Sequence, residues 1–270
     1  MTKRTTGVGA TEPAVWIFGS DKGGVGKSLA TQVCATRLSM LNGRLPIVVE
    51  VESEPRLVPV YGAETVRSFR IASHTMEEVE RSPRLLYAIW NDLAEVLLGR
   101  DGRDVVIDLG ANLSRSFALY LNELGEDGPL GAGEDVRFYA LATGEANALT
   151  SASNALAHMR QVLPRSRRWL MLNARDEGVF PLDPDGPVVR KILADHGAEL
   201  ARLPRCLSYA LAHATDRHMR LDEAVTKPAA WWTEAAGLSR MDAILAVRRL
   251  VAWVDASVQS VGPLPAEAAA

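Results

Sequence analysis

Seven consecutive residues, Lys22-Gly23-Gly24-Val25-Gly26-Lys27-Ser28, have the composition of a loop that holds phosphates. Glycines let backbone N–H groups turn toward an anion with no side chain in the way. A helix starting at the end of the loop points its positive end at the same anion. In such an arrangement Lys27 neutralises the outer phosphates and the Ser28 hydroxyl meets a magnesium ion. The expected cofactor contacts are therefore Gly23, Gly24, Val25, Gly26, Lys27, Ser28 and the adjoining Leu29. A second candidate is Asp108, which closes the apolar run Val105-Val106-Ile107 and precedes Leu109-Gly110. An acid at the end of a strand can hold a magnesium-bound water, and Gly110 would let the backbone swing toward a terminal phosphate.

These residues need particular elements to position them. Residues 14–19 form a short apolar run, read as a buried strand, and residues 28–41 carry Leu29, Val33, Leu38 and Leu41 at near-helical spacing. The order strand, glycine loop, helix is the context the loop requires. Further strands are predicted over 46–51, near 66–72, and over 104–109, 136–143, 168–173 and 198–203. Helices are predicted over 83–98, 114–124, 146–163, 187–195, 217–225 and 240–257. The alternation predicts an α/β fold: a single doubly wound, mostly parallel sheet with helices on both faces. Residues 14–258 form the expected domain, with a loose arm over 1–13 and a disordered tail over 259–270. In such sheets ligands sit beyond the carboxyl ends of the strands, so the glycine loop, Glu50, Glu52, Asp108 and Asn173 are expected to converge on one edge.

The 270 residues carry a net charge of -3, with 47% apolar and 23% charged residues, as in an ordinary globular protein. Two distant cysteines, Cys34 and Cys206, offer no zinc or iron–sulfur ligand set and read as core residues of a reduced, cytoplasmic protein. No apolar run has the length of a membrane span. The guanine signature N/T-K-x-D is absent, which favours ATP over GTP.

Asp21 stands where the general phosphate loop begins with glycine, and a second lysine, Lys22, follows it. In this respect K-G-G-V-G-K-S resembles the deviant Walker A loop of the ParA/MinD ATPases. That resemblance implies a slow, partner-stimulated ATPase using ATP and Mg2+, and an ATP-sandwich homodimer in which Lys22 crosses to the partner's nucleotide. Lys22, Lys27, Glu52 and Asp108 are then the catalytic set. By position Glu52 would orient the attacking water, and Glu50 would stand nearer the magnesium ion with Ser28 and Asp108. The family usually carries aspartates where this chain has Glu50 and Glu52, so hydrolysis is expected to be slow; two solvated strand-end acids are the competing reading. Asn173 resembles the family's adenine-binding asparagine, its amide offering both a donor and an acceptor. Pro204, in Leu203-Pro204-Arg205, resembles the loop closing over the base.

ParA-type dimers bind DNA non-specifically through basic residues in the C-terminal half. Here residues 160–249 hold fifteen Lys and Arg against eleven Asp and Glu. The candidates are Arg165, Arg167, Arg168, Arg190, Lys191, Arg217, Arg220, Arg248 and Arg249, acting together on backbone phosphates. The resemblance implies a role in plasmid or chromosome partition, a ParB-like activator, and association with the nucleoid when ATP-bound. The alternatives are a MinD-like spatial regulator that positions a protein complex or conjugation machinery, and a nucleotide-binding scaffold with impaired hydrolysis. The amphipathic segment 239–257 could lie on a membrane, but packing on the sheet is the expected role.

Overall fold

The computed structural model describes residues 13–71, 76–131, 133–176, 178 and 183–262. Seven strands form one sheet in the order β3-β2-β4-β1-β5-β6-β7. They are β1 (Val15–Gly19), β2 (Ile47–Glu52), β3 (Val66–Arg70), β4 (Val105–Leu109), β5 (Val136–Ala142), β6 (Arg167–Asn173) and β7 (Glu199–Leu203). Every pairing is parallel. Parallel strands covered on both faces need apolar side chains at every position, not at alternate ones. Accordingly all residues of β1, β4 and β5 are buried, and all but Asp108 in β4 and Arg137 in β5 are uncharged.

Helices make the crossovers. They are α1 (Lys27–Asn42), α2 (Val58–Tyr61), α3 (Met76–Arg81), α4 (Tyr87–Leu98), α5 (Ser114–Leu124), α6 (Ala146–Val162), α7 (Pro187–His196), α8 (Tyr209–Asp216), α9 (Leu221–Ala224), α10 (Ala229–Ala236) and α11 (Arg240–Ser260). α1 packs with α9 and α11, while α4, α5, α6 and α7 pack in succession as a second group. β1 lies between β4 and β5, so the chain winds outward from it in both directions. That switch point brings the loops following β1, β4 and β5 together at one edge.

Several expectations need correction. The helix expected over 83–98 begins as a 3-10 turn, Pro83–Leu86, with α3 before it. The helix expected over 217–225 is only the single turn of α9; His218 adopts a left-handed φ of 54°, which separates it from α8. α8 and α10 were not foreseen. α11 buries Ala246, Leu250, Trp253 and Val254, the inward packing expected of residues 240–257. Among the described residues no helix is long and apolar enough to cross a membrane.

The chain also remains ordered beyond the point where a tail was expected. α11 continues to Ser260, Val261 is fully buried, and Arg37 of α1 donates to the carbonyls of Val258 (3.0 Å) and Gly262 (3.1 Å). Gly262 abuts the Trp169 ring so closely that a Cβ there would lie 2.8 Å from it. Trp169 is the last member of a stack running through Tyr139 to Trp16 across β6, β5 and β1, with centroid separations of 4.7 and 6.3 Å. The buried Arg137 guanidinium caps this stack, 4.2 Å from the Trp16 ring. Residues 1–12 and 263–270, which hold most of the predicted arm and tail, lie outside the described residues. Replacing Arg37 by Ala removes two bonds that fix the end of α11 to α1. It is expected to lower the unfolding free energy by about 1–3 kcal/mol in urea titrations.

Candidate functional site

The loop after β1 keeps the geometry that its glycines permit. Gly24 (φ 76°) and Gly26 (φ 98°) are left-handed, a conformation that side-chain-bearing residues rarely adopt. Gly26 starts α1 with no side-chain cap, and the first turn of the helix contains no acid. Its amide groups thus stand uncovered at the positive end of a sixteen-residue helix. Lys27 is buried, and its Nζ donates to the carbonyl of Lys22 at 3.2 Å. Burial lowers its pKa, while Asp108 and Glu52 pull it back up.

Asp108 faces this lysine from β4. It is 1% exposed, and neither carboxylate oxygen completes a hydrogen bond among the described residues. Burial pushes its pKa up to about 7; Ser28 and Lys27 act against that shift, and Glu50 and Glu52 add to it. A buried acid without hydrogen-bond partners is costly unless a cation meets it. Asp108 and the Ser28 hydroxyl are therefore a donor set suited to a hard divalent ion. Glu52, half-buried at the end of β2, lies against Gly110. A Cβ at position 110 would fall 2.7 Å from both the Glu52 carboxylate and the Val51 carbonyl. The Gly110 amide meanwhile donates to that same Val51 carbonyl at 2.9 Å.

Glu50 is placed differently from the expectation of a magnesium-side acid. It pairs in register with Asp108 across β2 and β4 and is fully buried. Its Oε1 accepts from the amides of Arg56 and Leu57, the latter at 2.9 Å, and Oε2 accepts from Ser68 Oγ at 3.4 Å. Oε1 thus braces the turn leading into α2, and Oε2 contacts β3. Glu52 and Asp108 are the acids left facing the loop.

Asn173 also has another use than the one expected. Its Nδ2 donates to the Val25 carbonyl at 2.9 Å, and its Oδ1 accepts from the Arg175 amide at 3.0 Å. The amide is therefore engaged by the glycine loop and by its own turn, not held free toward a base. Pro204 sits at the carboxyl end of β7, with its carbonyl accepting from Trp253 Nε1 at 2.7 Å, which ties that loop to α11.

Lys22 bonds within its own chain. Its Nζ pairs with the Glu145 carboxylate and donates to Asn147 Oδ1 at 3.0 Å, both at the start of α6. Asp21 accepts from Ser114 at the start of α5. Four residues of the site thus escaped the sequence reading: Arg175, Ser114, Glu145 and Asn147. Each stands within three residues of the end of an element already predicted. What was lacking was the strand order, which puts β4 and β5 on either side of β1.

The nine candidate cations are not gathered on one surface. Arg165, Arg167 and Arg168 stand at the amino edge of the sheet, the edge opposite the glycine loop. Arg168 is occupied by the carbonyls of Leu163, Pro164, Ser166 and His196. Arg190 donates to the Asp185 carbonyl, Lys191 pairs with Asp195 and Arg220 with Asp222. Arg217 donates to the Ala235 carbonyl beside the Trp231 ring. Arg248 and Arg249 are exposed on α11, near the carboxyl-edge loop that Ser208 anchors to the Ala246 carbonyl.

A central parallel strand leads into a glycine loop, then a helix, with a buried acid on the neighbouring strand. The fold is a parallel α/β sheet with helices around it and a glycine loop after its central strand. No family model matches the chain, and comparison with curated proteins gives no match. Among solved structures the chain is similar to the MinD cell division protein of Aquifex aeolicus, at 16% identity and a TM-score of 0.49 over 89% of this chain and 98% of that one. It is also similar to a Cyanothece McdA–ATP complex, at 12% identity and a TM-score of 0.44 over 92% and 97%. A plasmid partition protein from Borrelia burgdorferi is similar over 71% and 90%, at 12% identity and a TM-score of 0.33. These are likenesses of fold.

Two outcomes follow from the acids. The folded pKa of Asp108, about 7, lies above its ordinary 3.8, so folding takes up a proton between these values. The cost of burying the charge appears as pH rises through that window, to at most about 4 kcal/mol. Asp108→Asn should therefore raise the melting temperature of the ligand-free protein at pH 8, with the gain shrinking toward pH 4; a gain independent of pH would contradict this assignment. Gly110→Ala should cost about 1–3 kcal/mol in chemical denaturation, because the Val51 carbonyl is backbone and cannot step aside cheaply.

Proposed function

We propose that this protein is a ParA/MinD-like ATPase that binds ATP with Mg2+, closes into a homodimer around it and hydrolyses it slowly. The observation that carries the reading is the left-handed glycine loop beside buried Lys27 and buried Asp108. The amides of residues 23–28 and Lys27 would receive the phosphates. Ser28 and Asp108, the latter through water, would hold the magnesium ion, whose charge stabilises the oxygens of the transferred group when it is bound. Glu52, beside Gly110, would orient the attacking water. With Glu50 committed to the α2 turn, Glu52 carries that task alone, in keeping with slow turnover. Lys22 would act across the dimer, and it must leave Glu145 and Asn147 to do so.

The finer reading is ATP-dependent, non-specific DNA binding in plasmid or chromosome partition, stimulated by a ParB-like protein. The exposed Arg248 and Arg249 on α11, for which no ion pair is formed among the described residues, are its support. A separate observation favours the MinD-like alternative, positioning of a protein complex. Leu207, Tyr209, Met241 and Leu245 are 63%, 75%, 64% and 44% exposed around the Ser208–Ala246 stitch, an apolar surface suited to a protein partner.

Sedimentation with ATP, ADP or no nucleotide tests the cycle, alongside phosphate release and binding to random-sequence duplex DNA at two salt concentrations. Lys22→Ala is expected to retain nucleotide binding within about threefold, since in this reading it acts in trans, and to lose the ATP-dependent dimer. Arg248→Ala/Arg249→Ala should keep the dimer and flatten the salt dependence of DNA binding. A wild-type protein that dimerises with ATP but leaves DNA unbound would move the reading to a protein-positioning ATPase. Failure to bind ATP at all would sink both.

A further inference from the structure

The peptide units of the phosphate loop raise a question that the phosphates themselves do not answer. A trans peptide points its N–H and C=O in opposite directions. A loop that turns its amides inward therefore turns its carbonyls outward, and each carbonyl needs a partner of its own. Two outward carbonyls find theirs at the end of β6. The Gly24 carbonyl accepts from Arg175 Nη1 at 2.9 Å, and the Val25 carbonyl accepts from Asn173 Nδ2, also at 2.9 Å. The two donors are themselves linked, since Asn173 Oδ1 accepts from the Arg175 amide at 3.0 Å. The contact is tight: a Cβ at Gly26 would fall 2.3 Å from Asn173 Nδ2.

We infer that Asn173 and Arg175 are positioning residues that set the direction of the Val25 and Gly26 amides by holding the carbonyls on the other side of the same peptides. The inference rests on the proposed phosphate site and deepens it. It gives Asn173 a role toward the phosphates in place of base recognition, and gives Arg175 a role where the sequence suggested none. Fixing Gly24 O aims the N–H of Val25, and fixing Val25 O aims the N–H of Gly26. Asn173 is 3% exposed and sits in the sheet, whereas Arg175 is exposed, so its guanidinium can be removed without opening the core. The brace also joins β6 to the loop after β1, two strands away, so a displacement at the end of β6 is transmitted to the phosphate amides.

The test uses the full chain with Arg175→Ala, Arg175→Lys and Asn173→Ala, and two probes, inorganic pyrophosphate and ADP. Arg175→Ala should weaken both probes by about tenfold, the loss expected for one charge-assisted hydrogen bond. Arg175→Lys should recover part of the loss, since an ammonium can still reach one carbonyl. In the ligand-free protein, 15N relaxation should show the Val25 and Gly26 amides of Arg175→Ala dropping from a rigid order parameter near about 0.85 toward about 0.6, with β1 and β6 unchanged. Asn173→Ala should weaken pyrophosphate as much as ADP. If it weakens ADP and leaves pyrophosphate untouched, Asn173 reads the base and the inference is overturned. It is equally overturned if the loop amides of Arg175→Ala relax as in the wild type. A wild type that binds neither probe removes the proposed function, while the relaxation data still decide whether the brace exists.

Discussion

A cradle of backbone amides cannot stand unaided. Its N–H groups repel one another and its carbonyls face away from any anion it will hold, so the surrounding structure must supply partners before a ligand arrives. Much of the site can be understood as that supply. Lys27 donates to the Lys22 carbonyl from inside the loop. Arg175 and Asn173 take the next carbonyls from outside. Ser114 holds Asp21 at the entry, and Glu145 with Asn147 holds Lys22. These partners come from four places in the chain. Only a sheet that sends the carboxyl ends of β4, β5 and β6 to the same edge as β1 can bring them together.

The electrostatic arrangement follows from the same convergence. One buried lysine stands among Asp108, Glu52 and Asp21. Asp108 holds the least compensated position, as its raised pKa shows. Glu50, its register partner on β2, accepts from the backbone amides of Arg56 and Leu57. Two acids of similar type on adjacent strands thus differ: one is held by backbone amides, and the other completes no hydrogen bond among the described residues. A single hydrogen-bonded turn makes the difference.

This division explains what could and could not be read from the sequence. The strands β1, β4 and β5 were legible because both faces are covered, leaving Asp108 in β4 and Arg137 in β5 as their charged residues. The glycine loop was legible because left-handed backbone at Gly24 and Gly26 restricts residue type. Side-chain partners across the sheet were not legible. Nothing in Val49-Glu50-Val51-Glu52 says that the first acid turns toward residues 56 and 57 and the second toward Gly110. The amide of Asn173 has the same capacities for a base as for a carbonyl, so composition alone could not choose between them. The C-terminal helices were misplaced because short elements such as α8, α9 and α10 present too few turns for a periodic signal. Counting charges along the chain likewise says nothing of where each lies: Arg167 and Arg168 begin β6, whereas Arg248 and Arg249 lie on α11.

The Arg37 contacts carry a consequence for synthesis. Arg37 belongs to the helix that leaves the phosphate loop, yet its partners are the carbonyls of residues 258 and 262. A growing chain makes the loop and its helix more than two hundred residues before the clamp on that helix. During that interval the glycine loop and α1 exist without α11 and without Gly262 against Trp169. The loop and its helix therefore precede their support from α11 during synthesis, and they gain it only when α11 docks.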